Sequence, residues 1–148
     1  MAKDTRSRRI LFVDDEEGIR LTLPPILTDR GFAVTAVGNV SDALAQINRA
    51  KYDVLVSDLN IHEPGDGFLV IAAMQLQQPE CVNLVLTGYP ALDSAVEGIR
   101  LGIADYFVKP VEIEDLVKAI KLKLKLKTRR SGHVTASRER KRTHASPK

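Results

Sequence analysis

Four short apolar runs in this chain each end on polar groups suited to handling a phosphoryl group. Ile10 to Val13 runs into Asp14 and Asp15, Val54 to Ser57 into Asp58, Val82 to Leu86 into Thr87, and Tyr106 to Val108 into Lys109. Continuous apolar stretches of this length read as strands buried on both faces of a parallel sheet. In open α/β sheets the ligand crevice lies outside the carboxyl ends of the strands, so three carboxylates, one hydroxyl and one ammonium would converge there. Taken singly, each Asp would be a helix cap or turn residue and Thr87 an ordinary turn hydroxyl. It is their joint placement at strand ends that favours a site.

The elements that must position these groups alternate five times between strand and helix, the signature of a doubly wound sheet covered on both faces. The first strand spans 8–13. A helix over 16–30 follows, with Ile19, Leu23, Ile26 and Leu27 on one face, and it stops at Gly31. Pro24 and Pro25 lie well past its first turn and are expected to kink or split it. A strand over 32–37 precedes a helix over 40–50, capped by Asn39 or Ser41, with Val40, Ala43, Leu44 and Ile47 inward. After Asp58, the segment Gly65-Asp66-Gly67 closes a loop. Phe68, Ile71, Ala72 and Leu76 pattern a third helix that stops before Pro79. Pro90 opens a fourth helix to Leu101, with Gly98 inside and Gly102 as its stop, which marks it as a marginal helix. The fifth strand, 104–108, leads to a last helix striped by Ile113, Leu116, Val117, Ile120 and Leu124. Lys121 to Lys127 alternates lysine and leucine with a strand's period of two, but its residues are good helix formers and continue the stripe, so helix is expected to Lys127.

At 148 residues and 44% hydrophobic content the chain suits one domain with a real core. It shows no apolar run long enough to span a membrane, and its polar start lacks the apolar core of a signal peptide, so a cytoplasmic protein is expected. The single cysteine, Cys81, reads as a small buried residue without redox function. The net charge of +3 hides a division. Residues 1–120 carry 11 Lys and Arg against 18 Asp and Glu, a balance of −7; residues 121–148 carry 11 against one, a balance of +10. The expected organisation is a flexible start over 1–7, one folded domain over 8–127 and a polar, basic, disordered tail over 128–148.

The adjacent acids Asp14-Asp15, then Asp58, Thr87-Gly88 and Lys109-Pro110, in this order and each at a strand end, resemble the response regulator receiver domain of two-component signalling. The resemblance covers residues 8–127. It implies a flavodoxin-like (βα)5 domain with a five-stranded parallel sheet in the order 2-1-3-4-5. It also implies that Asp58 is the phosphoryl acceptor, with Lys109 stabilising charge on the transferred group and Thr87 donating its hydroxyl to it. Tyr106 matches the aromatic switch position, which would swing inward as Thr87 moves. The Lys109-Pro110 peptide bond would be cis. Neutralising the repulsion between a carboxylate and an incoming phosphoryl group is work for a divalent cation; Mg²⁺ would be held by Asp14, Asp15, Asp58 and the backbone carbonyl of Asn60. Two departures stand out. The loop from Asp58 to Gly67 is one residue longer than the usual pattern, with His62-Glu63 where a proline commonly comes early. Both side chains read as solvated loop residues. Gly88 keeps the small side chain that phosphate access requires.

The donor implied is a histidine kinase or phosphotransfer protein. No effector domain follows in this sequence, so output would pass to a downstream protein or a homodimer. The competing reading is binding of nucleic acid or an acidic partner through Arg129-Arg130 and Arg138 to Arg142, with the domain as regulator or scaffold. Against it, the tail lacks aromatic residues for stacking. A phosphohydrolase would need a second acid two residues after its nucleophile, and Asn60 stands there, so the expectation is a signalling phosphoacceptor and no enzyme acting on outside phosphate esters.

Overall fold

The structure, a computed structural model, describes residues 6–88 and 100–128. Within them five strands form one parallel sheet in the order β2-β1-β3-β4-β5: β1 Arg9–Val13, β2 Ala33–Val37, β3 Val54–Ser57, β4 Val82–Thr87 and β5 Asp105–Val108. Three helices alternate with the first four strands, α1 Glu17–Asp29, α2 Val40–Arg49 and α3 Gly67–Gln77, and a C-terminal helix, α4, covers 113–128. The architecture is the doubly wound α/β sheet that the sequence implies.

The central strands β3 and β4 are buried along their whole length, while the edge strands β2 and β5 are only partly so. This is why continuous apolar runs identified the interior of the sheet. Alternate residues serve opposite faces. Ile10, Phe12, Val54, Val56, Leu84 and Leu86 pack with Leu27 of α1 and Leu116 and Ile120 of α4. Leu11, Val13, Leu55 and Val85 pack with Ala43 and Ile47 of α2 and Ile71 and Met74 of α3.

The helices decide several expectations. The Pro24-Pro25 pair does not split its helix: α1 runs unbroken from Glu17 to Asp29, with Pro24 buried against the core. The Thr28 hydroxyl donates to the Pro24 carbonyl (3.0 Å), and α1 ends in a Schellman motif in which Phe32 N–H reaches Leu27 O (3.2 Å) and Gly31 takes φ 98°. The inward stripe of α3 is Gly67, Val70, Ile71 and Met74, with Phe68 partly buried; Ala72 and Leu76 face outward, Leu76 with 84% exposure. An almost wholly apolar helix offers no polar face from which to read its orientation. The lysine–leucine segment is helical, as expected, and α4 continues through residue 128. Asn39, not Ser41, caps α2, accepting from Asp42 N–H at 2.7 Å. The expected fourth helix lies mostly outside the described residues; its last residues, 100 and 101, are helical, and Gly102 takes φ 75°. The tail beyond 128 and residues 1–5 also lie outside them. No helix among the described residues is long and apolar enough to cross a membrane.

Candidate phosphoryl and metal site

The sheet brings the strand ends together through its register. Val13 pairs with Val37 on one side and Ser57 on the other, Ser57 with Val85, and Thr87 with Val108. The next backbone amides extend the ladder: Asp14 N–H donates to Val37 O (3.1 Å), Asp58 N–H to Val13 O (2.9 Å) and Lys109 N–H to Thr87 O (2.8 Å). Asp14, Asp58 and Lys109 are therefore set by sheet hydrogen bonds although they lie just past the strands.

Asp14 and Asp58 are buried, 1% and 5% exposed, and Thr87 is fully buried. Lys109 Nζ lies 2.8 Å from Asp14 Oδ2, 2.9 Å from Asp58 Oδ2 and 2.7 Å from Glu16 Oε1. Its contacts with Asp58 and Glu16 are hydrogen bonds. The contact with Asp14 Oδ2 is an ion pair only, and this buried oxygen has no hydrogen-bond donor among the described residues. The other oxygens are held by the chain itself: Glu16 N–H donates to Asp14 Oδ1 (2.9 Å) and Asn60 N–H to Asp58 Oδ1 (3.1 Å). Burial raises the pKa of Asp14, and the pull of Lys109 and of the Glu16 amide does not fully offset it. Burial lowers that of Lys109, but its pairing with Asp14, Glu16 and Asp58 outweighs it and holds the ammonium above its ordinary value.

Ligand oxygens of Asp14, Glu16 and Asp58 lie within 4.8 Å of one another. The donor set is all oxygen, and one buried carboxylate oxygen lacks a hydrogen-bond donor, so these residues fit a hard divalent cation. Glu16 was not singled out from the sequence. Asp15 is exposed and outside this cluster. The signal for Glu16 was available only as a third acid in Asp14-Asp15-Glu16; its reach to Lys109 depends on how α1 begins. Arg20, also unread, donates from Nη1 to the Asp14 carbonyl (2.8 Å) across Gly38.

The loop after Asp58 is wound tightly around one side chain. Asp66 accepts from the amides of Ile61 (2.7 Å), His62 (3.0 Å) and Glu63 (3.0 Å), and Gly65 N–H donates to Asn60 Oδ1 (2.8 Å). His62 and Glu63 are exposed, as expected of solvated loop residues. Gly67 is required by closeness: a Cβ there would stand 2.1 Å from the Asp58 carbonyl oxygen. At Gly88 a Cβ would stand 3.8 Å from Lys109 Cδ, an ordinary van der Waals contact. The Lys109-Pro110 bond is cis. Tyr106 already lies inward, packed against the α3 side of the sheet with its hydroxyl buried and, among the described residues, without a partner.

Comparison with known proteins agrees with this geometry. The response regulator receiver domain family matches residues 10–121. The chain is 36% identical over 115 residues to the alginate biosynthesis transcriptional regulatory protein AlgB of Pseudomonas putida, covering 78% of this chain and 25% of AlgB. It is 33% identical over 115 residues to the photosynthetic apparatus regulatory protein RegA of Cereibacter sphaeroides, covering 76% of this chain and 61% of RegA. It thus spans about a quarter of one relative's length and about three fifths of the other's. Among solved structures, a CheY-like receiver domain protein from Methanospirillum hungatei superposes with a TM-score of 0.80 at 27% identity, covering 84% of this chain and 98% of that one. A response regulator from Burkholderia pseudomallei, solved with a phosphorylated aspartic acid, calcium ion and citrate, superposes with a TM-score of 0.73 at 29% identity, covering 84% and 73%.

Proposed function

Because the chain belongs to the response regulator receiver family of two-component signalling, we propose that Asp58 is its phosphoryl acceptor. The observation that carries this is the environment of Asp58: a buried carboxylate at the end of β3, held through Oδ1 by the Asn60 amide and through Oδ2 by Lys109. The phosphorylated aspartic acid of the Burkholderia pseudomallei regulator supports the same reading.

In the proposed reaction a carboxylate oxygen of Asp58 attacks phosphorus in line, the bond from phosphorus to the donor's histidine nitrogen breaks, and an acyl phosphate forms. Lys109, beside Asp58 Oδ2, donates a hydrogen bond to a phosphoryl oxygen, and Thr87, buried at the end of the neighbouring strand, turns its hydroxyl to another. A bound Mg²⁺ would offset the charge of carboxylates and phosphoryl group; Asp14, Asp15, Asp58 and the Asn60 carbonyl would hold it. The change at Thr87 would then be passed to Tyr106 and to a downstream protein or homodimer, with a histidine kinase or phosphotransfer protein as donor and the cytoplasm as the compartment. The unit proposed to do this spans 8–127, and it is a signalling acceptor that discharges only its own acyl phosphate.

Intact mass after incubation with Mg²⁺ and acetyl phosphate tests the reading. One added phosphate, absent in Asp58→Asn and without Mg²⁺, is expected. A phosphate that persists in Asp58→Asn, or none on a folded wild-type chain, overturns it.

A further inference from the structure

Lys109 has three ammonium protons and three carboxylates around it, and the three carboxylates are not equivalent. Asp14 and Asp58 are buried, and each is pinned by a backbone amide through its other oxygen. Among the described residues Glu16 is pinned by nothing but the lysine: its side chain is 59% exposed, and it reaches inward only to place Oε1 2.7 Å from Nζ. Glu16 is also the N-cap residue of α1, yet its side chain makes no capping hydrogen bond. The amide-rich end of α1 is where a carboxylate would ordinarily be drawn. Here it is turned to Lys109 instead.

A phosphoryl oxygen at Asp58 needs a donor from Lys109, whose ammonium hydrogen-bonds to Asp58 and Glu16 and is closed on its remaining side by the ion pair with Asp14. One of the three must give way. The exposed one can, because water takes over its hydrogen bonds at little cost, whereas releasing Asp14 would leave a buried carboxylate with no counter-charge.

We propose that Glu16 is a releasable latch on Lys109, holding the ammonium before phosphorylation and yielding its place to the phosphoryl group, so that it sets the rate and strength of phosphoryl binding at this site. The role rests on Asp58 being the acceptor. No bond to Glu16 forms or breaks; the Lys109 N–H passes from Glu16 Oε1 to a phosphoryl oxygen and the Glu16 carboxylate turns into solvent. Glu16 is thus a positioning residue acting through Lys109.

The test compares Glu16→Gln with wild type and with Glu17→Gln, an exposed neighbour at the start of α1 that makes the same change of charge. Three quantities are read on the full chain: Mg²⁺ affinity, affinity for the phosphoryl analogue beryllium fluoride in Mg²⁺, both by NMR titration, and the rate of phosphorylation by acetyl phosphate. An exposed ion pair accounts for a modest factor, so Glu16→Gln is expected to bind beryllium fluoride and accept phosphate about two- to fivefold better. Mg²⁺ affinity should stay within about twofold, and Glu17→Gln should match wild type. Equal behaviour of Glu16→Gln and wild type overturns the latch. So does an equal gain in Glu17→Gln, which would assign the effect to net charge, or a loss of Mg²⁺ affinity of about tenfold, which would make Glu16 a ligand. Because the latch is read as a ratio to wild type, its failure is separate from that of the acceptor reading, which a wild type taking up neither phosphate nor beryllium fluoride would remove.

Discussion

At the carboxyl end of the sheet, Lys109 sits with 12% side-chain exposure among Asp14, Glu16 and Asp58. At the amino end, Arg6, Arg8, Arg30, Lys121 and Lys125 line an open groove of about 490 Å³ over Phe32 and Leu124. The second region carries more charge, but it spreads that charge. Arg8 pairs with Asp53 at 3.5 Å and Arg30 with Glu114, all at the surface, where water and salt screen such pairs to about 0–1 kcal/mol. The first region concentrates unlike and like charges out of water, where they cost stability unless something binds them. Convergence and burial, more than charge count, separate a reaction site from a solvated face.

The sharpest way to break this contrast is at Gly67, where α3 touches the backbone of Asp58. A methyl group at this position meets the Asp58 carbonyl oxygen at 2.1 Å and Leu59 Cα at 2.7 Å, both backbone atoms that cannot step aside. Gly67→Ala is expected to cost about 3 kcal/mol in denaturant unfolding and to abolish phosphorylation by displacing Asp58. Wild-type stability in this variant would show that the packing does not hold the acceptor.

Asp14→Asn should move stability the other way. Burial raises the pKa of Asp14, so its ionised form disfavours the folded state at neutral pH, and protonation relieves this as pH falls through the raised folded value. The neutral amide should add about 1 kcal/mol at pH 7, with the gain shrinking as pH is lowered and wild-type Asp14 is itself protonated. A loss of stability at pH 7 would mean that the pairing with Lys109 outweighs burial.

The amino end supplies the smaller effects. Cys81 stands there at the start of β4, and burial pushes its thiol pKa up to about 12. The stabilising bias toward the neutral thiol is complete below the ordinary cysteine value and is lost only as pH rises toward 12. At pH 8 an aromatic disulfide reagent should label Cys81 only as the protein unfolds; rapid labelling of the native chain would contradict its burial. Smallest of all, Lys121→Glu with Lys125→Glu should shift stability by no more than about 0.5 kcal/mol and leave phosphorylation unchanged. A large loss in either would erase the difference between the two ends.

What the sequence made legible follows the same division. Asp14, Asp58, Thr87 and Lys109 were readable because each terminates a strand, and strand ends are fixed by a period and a register that local sequence reveals. Glu16, Arg20 and Asp66 were not, because their roles depend on side chains reaching across loops: to Lys109, to the Asp14 carbonyl and to three successive amides. The helices divide likewise. The stripe of α4 was plain from Leu116, Val117, Ile120 and Leu124 against lysines, whereas α3, apolar on nearly every side, concealed that Leu76 faces outward. Of the two outcomes open for Pro24-Pro25, a split is excluded: α1 runs unbroken through them, with Pro24 and Leu27 buried.

The most direct test of the central claim locates the phosphate itself. Reduction with borohydride converts an aspartyl phosphate into homoserine and leaves phosphate esters of serine and threonine untouched. After incubation with Mg²⁺ and acetyl phosphate, peptide mass spectrometry should find homoserine at position 58 and nowhere else; homoserine at Asp14 or Asp15, or a phosphate that survives reduction, would contradict the account.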